Sequence, residues 1–136
     1  MKEIKRLKIL FLFIVMAVAF NLLGYSNEAF DALSSILVKK LSPAERYKME
    51  AEYKGENVNG FGYVINVSMD ISGNFIVHLS TDKNPRAHRA VNVAVIVSPT
   101  FDKAVSELKE GEQALFHGDF KEIRMNTIVL EDGFVD

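Results

Sequence analysis

The side chains able to do chemistry in this chain are few and scattered. His78, His88 and His117 have no paired spacing, and the chain has no Cys to join them, so no zinc-binding pattern forms. Ser68, Ser72, Ser80 and Ser98 lack the glycine-flanked turn that lifts out a catalytic serine, and the carboxylates are dispersed. Gly60-Phe61-Gly62 lies among apolar residues with no helix after it, so it is not a phosphate loop. One cluster stands out: Lys83-Asn84-Pro85-Arg86-Ala87-His88-Arg89 places three cations and a histidine in seven residues. Such a stretch is either a solvated loop or a docking patch for an acidic partner, an anionic polymer or an anionic membrane surface. The inventory points to recognition rather than bond-making, with no enzyme activity, metal or cofactor expected.

Charge divides the chain. The 136 residues carry a formal net charge of −2, but residues 1–26 hold four basic side chains (Lys2, Lys5, Arg6, Lys8) and one acidic (Glu3). The other 110 residues hold 12 basic and 17 acidic groups, net −5 with histidines neutral. Twelve apolar residues run from 9 to 20 behind the basic end, an order that holds the N-terminus in the cytoplasm and sends the remainder outward. Two forms fit. A signal peptide would be cut after Ala19 or, better, after Ser26, because the earlier cut leaves Phe20, Leu22 and Leu23 exposed. A retained anchor would use residues 9–25, 17 residues against the roughly 20 that cross a bilayer. Either form puts the acidic part on the periplasmic or extracellular side, in the second case anchored in the inner membrane. Without Cys there is neither a lipidated cysteine nor a disulfide, so the domain must be held by its core alone.

The elements that position these groups follow from periodicity. Residues 27–54 read as a helical lead-in. The first helix, 27–41, carries Phe30, Leu33, Leu37 and Leu41 near one face with Asn27 as cap. Ser42-Pro43-Ala44-Glu45 starts the second, which Gly55 ends. From Asn57 the period becomes two. Strands are expected at 58–69, 75–80, 90–97, 113–120 and 127–131, with a turn at 70–74, a polar loop at 81–89, a short helix at 99–109 and a loop at 121–126. Gly60 and Gly62 predict a bulge or strong coil in the first strand. Phe75, Val77 and Leu79 and the valines 91, 93, 95 and 97 are expected to face the core. Three strands, a helix and two strands give a mainly β architecture, a five-stranded OB-fold Greek-key barrel over residues 55–136.

Short motifs agree. Tyr53-Lys54-Gly55-Glu56-Asn57-Val58, then Gly62-Tyr63-Val64, and later Leu108-Lys109-Glu110-Gly111-Glu112-Gln113 before Gly118 and Ile128-Val129-Leu130, are present in order. Over residues 43–132 the chain resembles the tRNA-anticodon-domain-like OB-fold family of small, often exported bacterial proteins. Phe61 and the doubled glycine depart from that family's plainer Val-x-Gly-x-Val pattern. The resemblance implies nucleic acid through its name, and OB-folds also bind sugars and proteins.

In an OB-fold the ligand face covers strands two and three, between the turns joining strands one–two and four–five. Here that face maps to Ile76, His78, Ser80, Asn92, Ala94 and Ile96, with Phe61 and Tyr63 reaching it from strand one. The ligand candidates are therefore Phe61, Tyr63, Ile76, His78, Asn92 and Ile96, beside the basic-loop candidates Lys83, Arg86, His88 and Arg89. Strands two and three offer no aromatic platform there, and the net charge repels phosphate, which weighs against nucleic acid. The expected function is an exported, non-enzymatic binding module for an envelope protein or polymer. The alternatives are a structural accessory subunit whose helices pair with a partner helix, and weak single-stranded nucleic-acid binding.

Overall fold

A computed structural model describes residues 27–39 and 41–136, so the expected export segment, residues 1–26, lies outside the described residues. Among the described residues no helix is long and apolar enough to cross a membrane. Helix α1 (Glu28–Val38) begins where Asn27 Oδ1 accepts the Phe30 amide at 3.0 Å. Helix α2 (Pro43–Tyr53) begins where Ser42 Oγ accepts from Glu45 at 3.3 Å, with proline at its first position.

Five strands follow: β1 (Asn57–Met69), β2 (Phe75–Ser80), β3 (Asn92–Val97), β4 (Gln113–Arg124) and β5 (Thr127–Val135). They close into a barrel in the order β1-β2-β3-β5-β4. Every pairing is antiparallel except β3 with β5, which is parallel. Alternation along each strand sends one set of side chains inward. Val58, Val77, Val95, Val97, Ile128 and Leu130 are completely buried. Between β3 and β4 a 3₁₀ turn (Pro99–Phe101) leads into helix α3 (Asp102–Ser106), which ends short of the expected Lys109.

Helix α1 closes one end of the barrel. Phe30, Leu33 and Ile36 are buried in the same core as the strands, and the Phe30 ring meets Phe116 edge-on, centroids 5.3 Å apart. Its start is tied to β1: Asn27 Nδ2 donates to the Asn57 carbonyl at 2.8 Å, and the Asn27 amide to that of Asn59 at 3.2 Å. Helix α2 buries nothing fully but is pinned where Glu50 Oε1 accepts the Ile123 amide at 3.1 Å.

Three expectations need correction. The bulge in β1 falls between Val64 and Asn66, not at the glycines. Gly60 and Gly62 point inward, where a Cβ would lie 3.0 Å from Phe116 and from Leu79, so their role is to admit those side chains. Residues 121–126 are not a loop: β4 continues to Arg124, and only Met125 and Asn126 turn the chain, with φ of 50° and 58°. Two successive residues in the left-handed region mark a type I′ hairpin turn. Finally, β5 runs four residues past the expected Glu131, through a bend at Asp132 (φ 49°), to Val135.

Gly133 is the tightest point of the closure. A Cβ there would overlap the Val95 side chain and lie 2.8 Å from the His117 carbonyl oxygen. Gly133→Ala is therefore expected to destabilise the domain by about 3 kcal/mol. Urea unfolding followed by circular dichroism would read this as a lower midpoint with little change in slope.

Candidate ligand groove

Strand pairing arranges the outward side chains in rows. Tyr63, Ser80, Asn92, Thr127 and Arg124 lie side by side on β1, β2, β3, β5 and β4. The next row is Asn66, His78, Ala94, Val129 and Glu122, and a third begins Ser68, Ile76, Ile96. Over these rows lie three cavities that share walls. The central one, about 260 Å³, is lined by Ile76, His78, Ala94, Ile96 and Val129 under Lys121, Arg124 and Met125. Through Ile96 and Lys121 it joins a cavity of about 290 Å³ at Asp70, Ser72, Asn74, Glu131 and Asp132. Through His78 and Thr127 it joins one of about 220 Å³ at Ile65, Asn66, Asn92 and Pro85. Together they form one groove across β2, β3 and β5. A larger cleft of about 540 Å³ lies elsewhere, beside α3, and none of its lining residues belongs to these rows.

The groove is polarised. Asp70, Glu131 and Asp132 make one end acidic, with Lys121 the single cation lining that cavity. The middle floor is aliphatic. The other end abuts Pro85, the middle of the basic loop. That loop is ordered by short side-chain bonds: Asp82 Oδ1 accepts from Asn84 at 2.9 Å, Asn84 Oδ1 from Arg86 at 3.0 Å, and Thr81 Oγ1 from Val91 at 2.9 Å. Lys83, Arg86, His88 and Arg89 are all exposed. Lys83 leans back over the Tyr63 ring, its Nζ 5.7 Å from the centroid.

Of the expected ligand residues, the structure brings Ile76, His78, Asn92 and Ile96 into the groove. Tyr63 stands at its margin. Phe61 does not reach it: β2 ends at Ser80 opposite Tyr63, so Phe61 faces Leu115 on β4 instead. Ser80, expected on the outward face, is completely buried, its Oγ accepting from the Asp82 amide at 3.3 Å. Sequence reasoning missed Thr127, Val129, Glu131 and Asp132. Their alternation with Ile128 and Leu130 was visible, but their place beside β3 depends on a parallel pairing that no local pattern reveals.

Two features give the groove its chemistry. His78 is half-buried between β1 and β3, and burial lowers its pKa from the ordinary 6.5, so near neutrality it presents a neutral ring. Met125 sits at the tip of the I′ turn, 93% exposed, in a backbone conformation that glycine and asparagine favour. Arg124 beside it is paired with Glu122.

No protein-family model and no curated protein matches the chain. Solved structures do. A lipoprotein of Klebsiella pneumoniae described as nucleic-acid-binding aligns with a TM-score of 0.54 at 14% identity, covering 82% of this chain and 89% of that one. The barrel is an OB-fold. Two further OB-fold alignments are looser: an OBody bound to hen egg-white lysozyme (TM-score 0.45, 17% identity, 62% of this chain and 83% of that one) and the single-stranded DNA binding protein of Thermus aquaticus (0.39, 19%, 59% and 38%). At 14% identity the K. pneumoniae alignment shows the fold alone; the narrower likeness to the tRNA-anticodon-like family rests on the motifs quoted above.

Two outcomes follow. A histidine whose pKa is lowered on folding favours the folded state fully above its unfolded value, and that advantage is lost as pH falls through 6.5 toward the folded value. Urea midpoints of the wild type should drop across that window, and His78→Gln should flatten the drop. Replacing the turn by Asn-Gly, as Met125→Asn with Asn126→Gly, should raise stability by about 1 kcal/mol by relieving the left-handed methionine. A lower melting midpoint would show that Met125 is not strained.

Proposed function

We propose that the domain is an exported, non-enzymatic binding module whose groove takes an extended peptide segment of an envelope protein. The polarity of the groove carries this reading: carboxylates at one end, an aliphatic floor, and an exposed basic loop at the other. A polypeptide with a basic end, an apolar middle and an acidic end meets all three parts at once. A phosphate backbone, which is negative along its whole length, meets Asp70, Glu131 and Asp132 unfavourably. The basic segment and apolar run of residues 1–26 support export.

The accessory-subunit reading keeps α2, which has no buried residue, but not α1, whose apolar face is taken up by the barrel core. A single nucleic-acid strand is the second reading, favoured by Lys121, Arg124 and the basic loop and by the description of the K. pneumoniae protein. It has no Phe, Tyr or Trp among the lining residues to serve as a stacking platform; the one aromatic ring there is His78, with Tyr63 at the margin.

Fluorescence anisotropy separates the two. Labelled peptides with a Lys-rich end, a Val/Leu centre and a Glu-rich end, made in both chain directions, are expected to bind in one direction. Ile96→Lys should weaken that binding at least tenfold, about 1.4 kcal/mol. Tight binding of oligo-deoxythymidine with a steep loss on adding salt would instead establish the nucleic-acid reading. Equal peptide binding by wild type and Ile96→Lys would remove the groove from consideration.

A further inference from the structure

Phe61, which does not reach the groove, belongs to a second face of the barrel. Val58, Phe116 and Val135 fill the inward positions of β1, β4 and β5, so the residues that alternate with them point outward. Pairing sets Asn59, His117 and Phe134 in one row. Phe61 and Leu115 form the next, closed by Asp136, which exchanges both backbone bonds with Leu115 at 2.9 Å. From the 3₁₀ turn Phe101 meets Phe134 edge-on, centroids 5.2 Å apart, and the His117 ring lies 5.7 Å from that of Phe134. Phe61 is 37% exposed, Phe101 43%, and His117 is exposed as well. None of these rings lines any of the four cavities described above. The face is therefore open rather than concave, which suits a macromolecule and not a small ligand.

We propose that this face docks an arginine-bearing segment of a partner protein. Two carboxylates flank the rings: Asp136 beside Leu115, and Asp119 two residues along β4 from His117 on the same pleat. Among the described residues neither is held in an ion pair, the one such pair being Arg124 with Glu122. The two rows contain no Lys or Arg. Lys83, held over the Tyr63 ring, stands outside them, and Asp102 and Lys103, which follow Phe101, offset each other. A guanidinium uses both parts of the face, because its plane stacks on aromatic rings and its fork pairs with a carboxylate. A phosphate backbone meets Asp119 and Asp136 unfavourably, and a neutral glycan draws nothing from their charge. Phe101 also stands at 76° to Phe134, so those two rings form no flat platform of the sort that stacked bases use.

Nuclear magnetic resonance of the full-length chain in a non-ionic detergent locates the contact. The probe is the capped peptide Arg-Gly-Arg-Gly-Arg. Its control carries citrulline, which has the same shape without the charge, at each arginine. At neutral pH the arginine peptide should saturably shift the ring signals of Phe61, Phe101 and Phe134 and the amides of Leu115 and His117, and the citrulline peptide should not. Asp119→Asn with Asp136→Asn, which preserves side-chain size, should weaken the affinity read at those signals by about fivefold. Phe101→Ser, at an exposed ring, should weaken it by about threefold. Ile96→Lys, in the groove, should leave it unchanged, so the two readings can fail separately. Unaltered amide signals away from the face check that each variant is folded. Shifts confined to Asp70, Glu131 and Asp132 at the acidic end of the groove would overturn the proposal. So would equal shifts from the citrulline peptide, no saturable shift with arginine, or full affinity in the double asparagine variant.

Discussion

The barrel depends on one strand serving two neighbours. Thirteen residues of β1 must lie against β4 in their first half and β2 in their second, and a strand cannot do both without bending. The bulge between Val64 and Asn66 supplies the bend, since the extra residue locally breaks the ladder and increases the twist. Before it, Gly60 and Gly62 leave the inner face bare, and Phe116, Phe30 and Leu79 occupy the space. That is why α1 packs as part of the core: the Phe30 ring finds its place against Phe116 only because Gly60 has no side chain. At the opposite seam Gly133 does the same for Val95.

The groove is the outer consequence of the same closure. Once β3 and β5 lie parallel, the outward residues of β2, β3 and β5 come side by side, and the turn at Met125-Asn126 rises over them from β4 and β5. The two ends of the face are then fixed by chain connections of different chemistry. The β1–β2 turn brings Asp70, whose carboxylate also holds the Asn74 amide at 2.9 Å, and the bend in β5 brings Asp132. The β2–β3 connection brings Pro85 and the cations around it. Charge segregation along the groove thus comes from the β1–β2 and β2–β3 connections together with Glu131 and Asp132 of β5.

Much of this was legible in the sequence, and for a physical reason. A strand with one buried face must alternate, so β2 was read at its true bounds, Phe75–Ser80, and the inward valines of β3 were identified. The caps at Asn27 and Ser42 were readable because helix starts need a side-chain acceptor. The end of β4 was not, because Lys121, Glu122 and Arg124 are polar residues facing the groove or solvent and supply none of the apolar signal that marks a strand. Phe61 was misplaced because an aromatic on the outward pleat shows its face but not how far the neighbouring strand extends. Ser80 was misplaced because its outward direction leads under the following loop, where the Asp82 amide seals it.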